Sequence, residues 1–127
     1  MTMDYEWDDK IFIAYEEIEN TGKHPLIKDN LRPERYENQE KIAEYLYNAE
    51  VFMTEMSYAR DIFTGKPLPQ VMHCVSDDKY WWPIILAYYV QKYNLRLPPS
   101  FEQHILEKLA EGNVKIQFSA DQVLGSK

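Results

Sequence analysis

Apolar residues recur every three or four positions along much of the chain, a period that predicts helices. Trp7, Ile11, Ala14, Tyr15 and Ile18 mark residues 7–20 as an amphipathic helix. Asp4, Asp8 and Asp9 lie at or before its first turn, where the helix dipole favours carboxylates, and Gly22 suits its stop. Pro25 and Pro33 bracket a connection that carries Leu26, Ile27 and Leu31, so it is expected to lie against the core. The longest repeat is Ile42, Tyr45, Ala49, Phe52, Met56, Ala59 and Phe63, which predicts one helix of about seven turns over residues 37–63. On the opposite side of that helix Glu40, Glu44, Tyr47, Val51, Glu55, Tyr58 and Ile62 would share an arc of roughly 80° at 100° per residue. A merely solvated face has no need of two tyrosines, a valine and an isoleucine. A second layer of the protein or a partner should cover them.

Beyond the linker Gly65-Lys66-Pro67-Leu68-Pro69, residues 70–75 have the apolar, β-branched character of a short strand, and Ser76-Asp77-Asp78 has turn chemistry. Pro83 fits the first turn of a helix over residues 83–94. Ile84, Ile85, Leu86, Tyr88, Tyr89, Val90 and Tyr93 surround that helix on almost every side, which predicts a buried, central one. Leu97-Pro98-Pro99 ends the segment, Ser100 is a candidate N-cap for a helix over residues 101–111, and Gly112-Asn113 closes it. Residues 114–118 alternate apolar and polar and could pair with residues 70–75. The expected fold is mainly α: about four helices bundled around the buried 83–94 helix, with at most a minor two-stranded β element. No repeat or boundary divides residues 1–127, so one globular domain is expected.

Composition narrows the class. At 45% hydrophobic and 28% charged the chain is too apolar for intrinsic disorder, and ten Tyr, five Phe and three Trp can fill a core. The net charge is −7, which argues against direct nucleic-acid binding. Its distribution is uneven: residues 1–64 hold 15 acids against 7 bases (7 − 15 = −8), and residues 65–127 hold 6 against 7 (+1). A solvated surface is one explanation, and an acidic face that steers a basic partner is the other. The acidic start lacks the features of a secretory signal, and the longest apolar run is far short of a membrane span, so a cytoplasmic protein is expected.

Candidate chemistry is sparse. His24, His73 and His104 show no metal-ligand spacing, and adjacent His73 and Cys74 would face opposite ways on a strand. Cys74 reads as a small core residue, and Asp77-Asp78 as a capping turn before acid–base chemistry. The four glycines are isolated, so no phosphate-cradling loop forms. Consecutive Trp81 and Trp82 cannot both face inward in one direction: one is expected to anchor the core, and the other to lie at the surface or in an interface. No catalytic residue, metal or cofactor is expected.

One stretch carries a family pattern. Ser76-Asp77, Trp82-Pro83, Leu86, Tyr88-Tyr89-Val90, Lys92-Tyr93, Leu97-Pro98, then Phe101 and His104-Ile105 resemble small immunity proteins of contact-dependent growth-inhibition and other polymorphic toxin systems. The likeness covers roughly residues 71–106. It implies a non-enzymatic protein that binds a cognate toxin and blocks its active site or substrate entry, and it brings no catalytic residue. The acidic balance agrees with a basic, nuclease-type toxin as partner. Asp8, Asp9, Glu40, Glu44, Tyr47, Glu55 and Tyr58 are the expected toxin-facing residues, in a monomer or a homodimer. The alternative is an acidic nucleic-acid mimic that inhibits a DNA- or RNA-binding protein. A small enzyme would need a concave site, and His73, Asp77 and Asp78 mark where to seek one.

Overall fold

The computed structural model describes residues 11–112 and 114–124, without the side chains of residues 52, 55–58 and 69–72. In chain order the elements are β1 (Ile11–Phe12), α1 (Glu16–Glu19), α2 (Gln39–Tyr47), β2 (Glu50–Arg60), β3 (Pro67–Ser76), β4 (Tyr80–Pro83), α3 (Leu86–Tyr93), α4 (Pro99–Glu111) and α5 (Ala120–Val123). The four strands form one sheet in the order β1-β4-β3-β2, with β1 parallel to β4 and the other pairs antiparallel. The fold is therefore mixed α/β, and the expected mainly α bundle is overturned.

The correction falls on two segments. The long helix expected over residues 37–63 ends at Tyr47. Asn48 terminates it, with its backbone N–H and its Nδ2 both on the Glu44 carbonyl, at 3.0 and 2.7 Å. The chain then runs as β2, because β3 buries Cys74 and Val75 and its backbone needs a ladder partner on that side. The arc that would have aligned Glu40, Glu44, Tyr47, Glu55 and Tyr58 does not exist: the first three lie on α2 and the last two on β2. Residues 7–10 and the candidates Asp8 and Asp9 lie outside the described residues. Of the described part of the helix expected over 7–20, residues 11–20, only Glu16–Glu19 is helical. Before it the backbone is drawn to the edge of β4, where Ile11 N–H meets the Lys79 carbonyl at 3.1 Å and Ile13 N–H the Trp81 carbonyl at 2.9 Å. The strand expected over 70–75 is part of the longer β3, and residues 114–118 stay out of the sheet.

In the second half the two expected helices form but begin elsewhere: Pro83 ends β4 instead of opening a helix, α3 starts only at Leu86, and α4 starts at Pro99 with Pro98, not Ser100, at its N-cap. Leu86 to Gln91 are all buried, so α3 is the enclosed helix that its all-round apolar composition demands. Its last carbonyls are capped from outside: Gln39 Nε2 donates to Val90 O at 2.7 Å, and Arg35 Nη1 to Gln91 O at 2.7 Å. Asn94 and Gly112 stop α3 and α4 in the left-handed region, at φ 62° and 78°. Trp82 ties the sheet to the helices. Its ring lies 5.2 Å from Phe101 of α4 and 6.1 Å from Tyr45 of α2, and its Nε1–H donates to Leu46 O at 3.1 Å. Trp81 points to the other side of β4 and stacks on Phe12 at 4.0 Å. Among the described residues no helix is long and apolar enough to cross a membrane.

Candidate functional site

The β3–β4 turn, the C-terminal end of α2 and the last turns of α4 meet around an open cleft of about 330 Å³. Tyr45, Asn48, Asp77, Asp78, Lys108 and Glu111 line it, with Glu50 at the start of β2. The turn puts Asp77 there because the chain must reverse in three residues. Asp77 Oδ1 accepts the N–H groups of Lys79 and Tyr80, both at 2.8 Å, which is the capping role its Ser-Asp-Asp context predicts. Its second oxygen takes the Tyr45 hydroxyl and, at 2.8 Å, His104 Nε2. Burial raises the Asp77 pKa, but the Tyr45 bond, the two N–H bonds and His104 outweigh it, so the carboxyl sits below its ordinary value. Tyr45 moves the opposite way: burial, then the Asp77 contact, push its hydroxyl far above the ordinary tyrosine value.

Tyr45 and His104 both spend a polar group on Asp77. Asp77 has a donor at each of its four acceptor positions, which unfits it for general-base work. Asp77, Asp78 and His104 present ligand atoms within 4.8 Å of one another, a spacing that a divalent cation could use. Against a cation, Lys108 Nζ sits 2.9 Å from Asp78 Oδ2, and the His104 proton points at Asp77. A metal would have to displace both. The residues fit an internally closed polar knot better than a metal centre. What stays open is the rim, where Glu50, Asp78 and Glu111 are exposed.

The other sequence-derived candidates are dispersed. Glu40 is exposed in the first turn of α2. Glu44 accepts the Ala120 N–H at 2.9 Å and so holds the start of α5, while Tyr47 packs edge-on to Phe118 at 5.7 Å. Glu55 and Tyr58 lie on β2, and His73 is 3.0 Å from Thr54 across the β2–β3 ladder rather than near Asp77. The Asp77–His104 pair was missed because its members are 27 positions apart. No family model, curated protein or solved structure matches the chain.

Proposed function

We propose that the chain is an immunity protein, which binds a basic bacterial toxin and blocks its active site or the entry of its substrate. The observation that carries the reading is the charge distribution, with a net −8 confined to residues 1–64. Several of those acids serve the fold: Glu16 and Glu17 accept backbone N–H groups of residues 22–28, and Asp61 is buried. Asp29, Glu34, Glu37, Glu40 and Glu50 remain exposed, and Glu50 shares the cleft rim with exposed Asp78 and Glu111. The family pattern supports the reading from a second direction. Trp82, Leu86, Leu97, Phe101 and Ile105 are buried core positions, and Asp77 and His104 clasp its two ends together.

Co-expression with the product of the open reading frame immediately upstream tests it. The expected result is recovery of a tight equimolar complex, together with protection of cells from that product. A soluble, toxic upstream product that is neither bound nor neutralised would overturn the reading. Within the complex, Glu40→Lys and Glu111→Lys should each weaken binding, because both place a cation on the surface that faces a basic partner.

A further inference from the structure

The two edges of the sheet differ. β1 is two residues long, whereas β2, at the other edge, has 11 residues and pairs on one side only among the described residues. At about 3.3 Å per residue it presents roughly 36 Å of open strand. Its start is exposed on both faces: Glu50, Val51, Met53 and Thr54 all face solvent, with Val51 52% accessible. Lone proteins guard such an edge with proline or lysine, with other charges or bulges, or by keeping it short. β2 contains neither residue, and Arg60, at its last position, is its one base.

We propose that β2 pairs antiparallel with β2 of a second copy of this chain, joining two four-stranded sheets into one about a two-fold axis. Charge identifies the second copy as the occupant. The strand begins with exposed Glu50 and ends with exposed Arg60, so antiparallel self-pairing sets the acidic start of each copy beside the basic end of the other, twice. Arg60 Nη1 donates to the Gly65 carbonyl at 3.0 Å, which holds the guanidinium at the strand end. The register shifts against β3 locally kink and twist β2. Pairing covers Val51 and Met53. It also uses the single long edge of each copy, so assembly stops at two. Glu55, the middle residue of the strand, pairs with its own copy near the axis in this register.

Sedimentation equilibrium of the full chain over a range of concentrations tests the proposal. Twice the monomer mass is expected. Glu50→Arg and Arg60→Glu should each weaken the dimer at least about tenfold by setting like charges together. The double variant Glu50→Arg/Arg60→Glu should recover the original affinity, and Glu55→Gln should tighten the dimer. Val51→Lys, at a position that already faces water, is the second edge variant should a charge reversal fail to fold by circular dichroism. A monomer at every concentration overturns the proposal. So does a dimer indifferent to all these substitutions, or a double variant as weak as the singles. Because the test needs no toxin, its result is independent of whether the immunity reading holds.

Discussion

Asp61 is 1% accessible, yet it carries a charge. Its carboxylate accepts the hydroxyls of Tyr88 and Tyr93, both at 2.6 Å, and the N–H groups of Phe63 and Thr64 at 2.7 and 3.1 Å. Burial alone would raise its pKa, but the two tyrosine bonds and two backbone bonds together hold it below the ordinary value. A depressed pKa stabilises the fold above the unfolded value of 3.8, and that contribution is lost as pH falls through the folded value. Asp61→Asn should therefore cost about 2 kcal/mol near neutrality, the worth of a charge-assisted bond. Urea titrations of both proteins should converge as the pH is lowered; a gap that persists in acid would show that packing, not charge, carries the effect. The tyrosines give the opposite sign. Tyr93 is pushed up to about 12 by burial and then by Asp61, and Tyr36 and Tyr89 to about 12 chiefly by burial. Their stabilisation is complete below pH 10 and is lost as the pH rises from there towards 12. Tyrosinate absorbance from this group should appear together with loss of the far-ultraviolet dichroism. Titration near pH 10 with the fold intact would contradict the burial that the structure gives them.

Between elements, Asn48 has a part that its sequence context conceals. Besides ending α2, its Oδ1 accepts the N–H groups of Gln117 and Phe118, both at 2.8 Å, and its Nδ2 donates to the Phe118 carbonyl at 2.9 Å. One amide thus replaces the strand partner that residues 114–118 were expected to find in the sheet. Asn48→Ala should release the segment from Gln117 to α5, lowering amide protection there while α3 keeps its own, at a global cost of about 1–2 kcal/mol. Unchanged protection at Phe118 after the substitution would place the anchor in Glu44 and Tyr47 instead. The same region explains what was readable beforehand. α3 and α4 were visible because their apolar positions and their left-handed stops, Asn94 and Gly112, lie within the helices or one residue past them. β2 was hidden because Phe52, Met56, Ala59 and Phe63 continue the three- and four-residue spacing of α2. No Gly or Pro marks the change at Asn48. What makes the segment a strand is distant: the ladder to β3, and Asp61 reaching Tyr88 and Tyr93 on α3. The Asp77–His104 clasp was hidden for the same reason, since a pair 27 residues apart leaves no periodic trace.

Across the whole molecule, long-range and short-range electrostatics separate. A partner still out of contact but within about 8 Å, the Debye length at physiological ionic strength, senses the summed charge of −7 whether a carboxylate is exposed or, like Asp61, buried among hydroxyls. At contact, inside the Debye length, surface acids such as Glu40, Asp78 and Glu111 act directly. Association and dissociation should therefore answer to different changes. If the proposed immunity function holds, the rate of association with the basic toxin should fall by about one to two orders of magnitude as salt rises from dilute to high, with a much smaller change in dissociation. Glu16→Gln removes one unit of the field from a residue that holds the 22–28 loop, and should slow association only slightly. Glu111→Lys changes the field by two units at the cleft rim, so it should slow association more and also hasten dissociation. Stopped-flow measurements across a salt series distinguish these cases. An association rate that ignores salt would mean that the first-half charge does not steer the proposed partner.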